Sequence, residues 1–136
     1  MGDDDLPRQS LVLVVEDRAS IRQLLHVALG REGFRVDEAA TAEEGLARVR
    51  AEPPDVVLLD LLLPGGCGDS FISAMRRLPA ARHVPVIVLS GIEGGLATSR
   101  AAGAQDFLAK PFDLDELARR VRAQIADAHA TEGTPA

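Results

Sequence analysis

Strand-like runs alternate strictly with amphipathic segments along this chain, and that alternation limits the possible folds more than any other feature. Three runs, SLVLVVE, DVVLLD and VPVIVLS, are short and apolar, as buried strands are, and a fourth, QDFLAK, is a shorter apolar stretch. A fifth alternates apolar with polar residues, which predicts an edge strand. In chain order the five read SLVLVVE, FRVDEA, DVVLLD, VPVIVLS and QDFLAK. Segments whose apolar residues recur at helical spacing lie between these runs and after the last one. The sequence therefore predicts an α/β domain with a mainly parallel sheet and helices on both faces.

Capping and turn residues mark where the predicted helices begin and end. Gly33 is suited to end a first helix over residues 19–32. Two capping boxes, TAEE at 41–44 and DLDE at 113–116, open the second and the last helix. A weaker helix is expected over 96–102. These boundaries predict one domain between two flexible tails: residues 10–127, 1–9 and 128–136.

Composition argues against several functional classes. The formal net charge is −6, which disfavours direct nucleic-acid binding because phosphate recognition needs a basic surface. No apolar run approaches the roughly 20 residues that span a bilayer, and the acidic N-terminus lacks a hydrophobic signal core. The single cysteine, Cys67, cannot form an internal disulfide. We therefore expect a cytoplasmic protein that binds neither nucleic acid nor membrane directly.

Polar side chains end four of the five predicted strands. Glu16 and Asp17 follow the first strand, Asp60 the third, Ser90 the fourth and Lys110 the fifth. The carboxyl ends of parallel strands meet at one end of a sheet, where ligands of such folds bind. We therefore expect three carboxylates, a hydroxyl and an ammonium group to converge there.

These groups suit phosphoryl transfer assisted by a divalent cation. Crowded carboxylates repel one another unless a cation joins them, and oxygen ligands without nearby histidine or cysteine favour Mg²⁺. One carboxylate can act as a nucleophile. A metal ion, a lysine and a hydroxyl together can stabilise charge on a phosphoryl group in transfer.

Four segments in this order resemble the receiver domain of two-component response regulators, the CheY-like family: VEDRAS, LLDLLLPGGCG, VIVLSG and FLAKPF. The resemblance covers about residues 10–127 and implies a doubly wound fold with strand order 2-1-3-4-5. It implies that Asp60 accepts a phosphoryl group from a sensor histidine kinase or a histidine phosphotransferase. Such a domain is a bacterial signalling switch rather than an enzyme acting on an outside substrate.

The resemblance also implies a set of magnesium ligands. Asp17, Asp60 and the backbone carbonyl of Leu62 would bind Mg²⁺, with Glu16 acting through water. The Lys110–Pro111 peptide bond is expected to be cis, as it usually is in this family.

Ser90, Lys110 and Phe107 are expected to read the phosphorylation state. Ser90 and Lys110 would sense the phosphoryl group directly. Phe107 stands where the family often has a tyrosine, so it can switch by packing but not through a hydroxyl hydrogen bond. A downstream protein would bind the face formed by the predicted 96–102 helix, the fifth strand and the last helix. Whether the chain acts alone or as part of a larger regulator is left open.

Two apolar residues bear on the lifetime of the phosphorylated state. Leu62 lies two positions after the phosphoacceptor and Ile92 two positions after Ser90. In this fold both should flank the path of a water molecule attacking the phosphoryl group. Since neither can orient that water, we expect slow self-dephosphorylation.

Other interpretations stay open at this level. A phosphohydrolase with an aspartyl nucleophile could use a similar sheet, but it commonly needs an aspartate where this chain has Leu62. A pseudo-receiver that only binds partners is disfavoured by the complete acidic, hydroxyl and lysine set. Asp17 could cap the first helix and Phe107 could be an ordinary core residue, and both roles are compatible with a function in the site.

Overall fold

A five-stranded parallel sheet organises the chain in the computed structural model, which describes residues 9–60, 62–63, 66–91 and 103–133. In chain order the strands are β1 (Leu11–Val15), β2 (Arg35–Ala39), β3 (Val56–Asp60), β4 (Leu62–Leu63), β5 (Gly66–Cys67), β6 (Val86–Ser90) and β7 (Asp106–Ala109). The sheet has the order β2-β1-β3-β6-β7, and all its strand pairs are parallel. The predicted order 2-1-3-4-5 is therefore confirmed once the small antiparallel pair β4-β5 is set aside.

Four α-helices and one short 3₁₀ turn are present among the described residues. They are α1 (Ala19–Arg31), α2 (Ala42–Ala51), α3 (Gly68–Arg76), the 3₁₀ turn Pro79–Ala81 and α4 (Leu114–Gly133). Residues 128–133, predicted as tail, continue α4, while the predicted 96–102 helix lies outside the described residues. Within the described ranges, no helix has both the length and the apolar composition needed to cross a membrane.

Two hydrophobic layers cover the sheet, one on each face. Because successive side chains of a strand point to opposite faces, Leu13 and Val15 pack into one layer and Val12 and Val14 into the other. The first layer includes Val49 of α2 and Phe71, Ile72 and Met75 of α3. The second includes Leu25 and Leu29 of α1 and Leu117, Val121 and Ile125 of α4. Each fully buried aliphatic side chain contributes about 1.5–3 kcal/mol by removing apolar surface from water, so these layers dominate the stability of the sheet.

Side-chain caps hold the helix starts that the sequence marks. Thr41 Oγ1 accepts a hydrogen bond from the Glu44 backbone N–H at 3.1 Å, and Glu44 reaches back to the N–H of Ala40 at 2.6 Å. At α4, Asp113 Oδ1 accepts from the N–H of Asp115 at 3.0 Å. Glu116 does not complete a box there, because its carboxylate pairs with Arg119 and Arg120 instead. These are different partners from those that the capping-box pattern predicts for Glu116.

Gly33 ends α1 as predicted. Its φ of 96° lies in the left-handed region, which glycine adopts without the steric cost that a Cβ imposes. The turn is closed by hydrogen bonds from Gly33 N to Gly30 O at 3.1 Å and from Phe34 N to Leu29 O at 3.2 Å. The chain thereby turns directly from α1 into β2.

Candidate functional site

Parallel pairing brings the ends of four strands to one place, the carboxyl end of the sheet. Asp60 ends β3 opposite Leu89 of β6, and Ser90, at the end of β6, lies opposite Ala109 of β7. Lys110 follows at once, with its backbone N–H donating to the Ser90 carbonyl at 2.8 Å. On the other side, Glu16 N donates to the carbonyl of Ala39 at 3.0 Å, which fixes the end of β1 against β2.

Three carboxylates meet at this end of the sheet. Glu16, Asp17 and Asp60 each offer one oxygen, and these oxygens all lie within 4.8 Å of one another. Glu16 and Asp60 are buried, at 1% and 8% exposed, whereas Asp17 is exposed. Oxygen ligands that are partly open to water suit Mg²⁺, which binds through one or two carboxylates and keeps several waters. The donor set therefore fits a magnesium ion.

Lys110 supplies positive charge beside two of the three carboxylates. Its Nζ lies 3.2 Å from Glu16 Oε1 and 3.7 Å from Asp60 Oδ2. The ammonium group is partly exposed, at 24% for the side chain, so it can also meet an anion arriving from solvent. The Lys110–Pro111 peptide bond is cis, which confirms that prediction.

Glu16 bears the strongest electrostatic conflict of the site. Burial raises the pKa of its carboxyl above the usual 4.5, and Asp60 and Asp17 raise it further. The backbone N–H of Arg18, 3.1 Å from Glu16 Oε2, and the Lys110 ammonium lower this pKa. Since the raising influences prevail, Glu16 gains from any cation that joins the three carboxylates.

The two predicted switch residues occupy neighbouring strands. Ser90 is buried at the end of β6. Phe107 is half-buried on β7, in register with Val88, and packs against the hydrophobic layer that contains α2 and α3. Its carbonyl accepts a hydrogen bond from Arg120 of α4 at 3.3 Å. Phe107 is thus a partner of the core, and its role as a switch stays a prediction.

Of two other predicted positions, one can be placed in part and the other cannot be placed. Leu62 begins β4 two residues after Asp60 and pairs with Cys67 of β5, while its carbonyl as a metal ligand stays a prediction. Ile92 lies outside the described residues.

Arg22 contacts the site and was missed by the sequence interpretation. From α1 its guanidinium donates to the backbone carbonyl of Glu16 at 2.8 Å and to that of Asp17 at 3.5 Å. Its position in the chain, soon after the acidic pair at the start of a helix, could have indicated this contact. The partner that orients it, Glu38, comes from β2 and has no visible relation to it in the sequence.

Known proteins are similar to this chain in sequence and in fold. The family model for the response regulator receiver domain matches residues 12–122. The KDP operon transcriptional regulatory protein KdpE of Escherichia coli is 43% identical over 122 residues, covering 88% of this chain and 53% of that protein. The phosphate regulon transcriptional regulatory protein PhoB of E. coli is 37% identical over 114 residues, covering 82% of this chain and 50% of that protein. The chain thus spans about half the length of these curated relatives.

Solved structures agree with the fold. The chemotaxis response regulator CheY4 of Vibrio cholerae superimposes with a TM-score of 0.80 at 29% sequence identity, covering 85% of this chain and 98% of that one. The family match extends over well more than half of the chain, and the strand order and the acidic cluster agree with it. The chain belongs to the family of response regulator receiver domains, the signalling modules of two-component systems.

Proposed function

We propose that Asp60 accepts a phosphoryl group from a phosphohistidine of a sensor histidine kinase or a histidine phosphotransferase, and that this event switches the chain between two protein-binding states. The observation that carries the proposal is the position of Asp60. Its carboxylate ends the central strand β3 within the acidic cluster, and Lys110 Nζ lies 3.7 Å away. Asp60 lies beside two other carboxylates, which can hold a metal ion, and beside the Lys110 ammonium group. Such a carboxylate suits in-line attack on phosphorus.

The transfer is a displacement at phosphorus. An ionised oxygen of Asp60 attacks the phosphorus atom while the phosphorus–nitrogen bond of the donor breaks, and its electron pair stays on the imidazole nitrogen. Lys110 balances negative charge beside Asp60, and the Ser90 hydroxyl is proposed to donate a hydrogen bond to the transferred group. Covalent chemistry is confined to the chain's own aspartate, which is why we assign a signalling role rather than catalysis on an outside substrate.

Glu16, Asp17, Asp60 and the carbonyl of Leu62 are the proposed ligands of Mg²⁺, with Glu16 acting through water. The three carboxylates fit such an ion by their oxygen donors and their mutual distances. Bound there, the ion would neutralise charge on the phosphoryl oxygens. Mutual repulsion of the carboxylates would fall at the same time.

The output surface is proposed to include β7 and α4, together with the predicted 96–102 helix. Arg120 joins α4 to β7, because its Nη1 lies 2.7 Å from Asp106 Oδ1 and also donates to the carbonyl of Phe107. A change in the packing of Phe107 would therefore reach α4 through one side chain. The partner is a protein, bound in the cytoplasm, and the chain acts alone or as the receiver part of a larger regulator.

Labelling with a small phosphodonor tests the assignment of Asp60. Incubation with Mg²⁺ and acetyl phosphate should add one phosphoryl group to the intact chain, measured by mass spectrometry, and Asp60→Asn should abolish the gain. Asp127→Asn, an exposed aspartate of α4, removes the same charge and should label like the wild type. A gain that persists in Asp60→Asn would contradict the site, and turnover of unrelated phosphate esters would favour a phosphohydrolase.

Slow self-dephosphorylation is proposed as a second property of the site. Leu62 and Ile92 have no polar group to orient an attacking water. Leu62→Asn and Ile92→Glu should shorten the lifetime of the phosphorylated chain, followed by loss of the added mass after the donor is removed. Unchanged decay in both variants would refute this part of the proposal.

A further inference from the structure

Arg22 links the backbone of Glu16 and Asp17 to the carboxylate of Glu38 on β2. Its Nη1 donates to the carbonyl of Glu16 at 2.8 Å and to that of Asp17 at 3.5 Å, while its Nε donates to Glu38 Oε1 at 3.1 Å. The Arg22 side chain is mostly buried, at 19% exposed. It contacts main-chain atoms of Glu16 and Asp17, two of the three residues whose carboxylates form the site.

Arg22 contacts the main chain just before a helix start that has no side-chain cap of its own. Arg18, the N-cap residue of α1, makes no side-chain capping bond, and the first turn of α1 has no acidic residue. Moreover, a cation close to a helix N-terminus is disfavoured by the helix dipole. The contacts of Arg22 must offset that cost, and they converge on the β1–α1 junction where Glu16 and Asp17 lie.

A guanidinium is required for this geometry. Its planar fork presents donors in several fixed directions, whereas an ammonium group is a single point charge. Glu38 holds the fork from one side, and the second oxygen of Glu38 is bonded to Nδ1 of His26, one turn further along α1. The peptide carbonyls of Glu16 and Asp17 are thereby tied to β2 as well as to α1.

We propose that Arg22 is a positioning residue that sets the Mg²⁺ affinity of the site by fixing the main chain beneath Glu16 and Asp17. The inference rests on the proposed function and deepens it. Groups that orient metal ligands typically change metal affinity by about 10–100-fold when they are removed. Arg22 touches no reacting atom, so its effect belongs to metal binding rather than to the transfer step.

The test compares Arg22→Gln and Arg22→Lys with Arg48→Gln. Arg48 is a matched control because it also pairs with a β2 carboxylate, Asp37 at 3.7 Å, but from α2. We expect both Arg22 variants to bind Mg²⁺ about ten-fold more weakly in isothermal titration calorimetry, with Arg48→Gln equal to the wild type. In acetyl phosphate labelling, the Mg²⁺ concentration for half-maximal rate should rise in the Arg22 variants, while the rate at saturating Mg²⁺ should match the wild type.

The outcomes separate this inference from the proposed function. If the wild type neither binds Mg²⁺ nor takes up a phosphoryl group, the proposed function fails and the inference fails with it. If the wild type does both and the folded Arg22 variants bind Mg²⁺ equally well, only the inference is overturned. Should the Arg22 variants lose their fold by circular dichroism, Glu38→Gln decides, since it leaves Arg22 in place without its carboxylate. A weaker Mg²⁺ affinity in Glu38→Gln supports the inference, and an unchanged affinity overturns it.

Discussion

At the scale of single residues, the buried carboxylate of Glu16 lowers the stability of the fold. Its carboxylate is 1% exposed and lies between two other carboxylates and one ammonium group. Burying a charge is unfavourable unless partners compensate for the lost hydration. Lys110 and the N–H of Arg18 compensate in part, and the raised pKa of Glu16 indicates that they do not compensate fully.

The first prediction follows from the sign of that pKa shift. Because the folded-state pKa of Glu16 is raised above 4.5, its protonated form stabilises the fold fully below pH 4.5, and this stability is lost as the pH rises through the folded-state pKa. Without Mg²⁺, Glu16→Gln should therefore increase the free energy of unfolding at neutral pH. The gain should shrink as the pH falls towards 4.5, measured by urea unfolding in EDTA. A variant that is less stable than the wild type at neutral pH would contradict this sign.

At the scale of elements, close packing between helices depends on a glycine in α2. A Cβ built on Gly45 would lie 2.9 Å from the ring of Phe71 in α3 and 3.2 Å from Val15 in β1. Phe71 is itself buried, so its ring has little room to yield. By contrast, a Cβ on Gly30 of α1 meets no atom within 4 Å.

The two helical glycines should therefore respond to alanine in opposite directions. Gly45→Ala should lower the free energy of unfolding by about 1–3 kcal/mol, as overpacked cores do. Gly30→Ala should raise it by up to about 1 kcal/mol, because alanine favours helix and no contact opposes it. Urea unfolding of both variants provides the measurement. Equal effects would mean that Phe71 moves freely, against the packing described.

A separate prediction concerns the cap of α2. Thr41→Ala removes the acceptor for the N–H of Glu44 and should cost about 1 kcal/mol of stability. Thr41→Ser keeps the hydroxyl and should recover most of that loss. Thermal unfolding of both variants and of the wild type provides the measurement. If Thr41→Ser is as unstable as Thr41→Ala, the threonine acts through its methyl group instead.

At the scale of the whole molecule, metal binding and folding should be linked. The three carboxylates come from two separate parts of the chain, so the proposed ion would recognise only the folded form. Mg²⁺ at 100 times its dissociation constant would stabilise that form by about 2.7 kcal/mol. We expect Mg²⁺ to raise the melting temperature of the wild type and of Asp127→Asn but not of Asp17→Asn. A rise of equal size in Asp17→Asn would place the ion elsewhere.

Much of the architecture could be predicted from the sequence because strand ends carry information about position. Asp60 and Ser90 each end a run of buried residues and Lys110 directly follows β7, so parallel pairing had to bring them together. The antiparallel pair β4-β5 was not predicted, because Leu62-Leu63 continues the apolar run and lacks a strand boundary of its own. The sequence predicts a tail over residues 128–136 because they are small and polar, whereas α4 continues to Gly133, since alanine also favours helix.

The bond between Arg22 and Glu38 could not be predicted for a different reason. It depends on Glu38, which lies on another element and meets Arg22 only after β1 and β2 pair. Local patterns describe which face of a helix is apolar, but they do not describe which polar residues meet across elements. Such contacts need the sheet order first.

Strand β2, at one edge of the sheet, has a consequence for behaviour at high protein concentration. Its outer side has no neighbouring strand in the described sheet, and an unpaired strand of this kind can recruit another chain through main-chain hydrogen bonds. Arg35, Asp37 and Glu38 of β2 are all held in ion pairs, with Glu52, Arg48 and Arg22. An incoming strand would have to dehydrate these charges. These ion pairs therefore protect the domain against strand-by-strand aggregation.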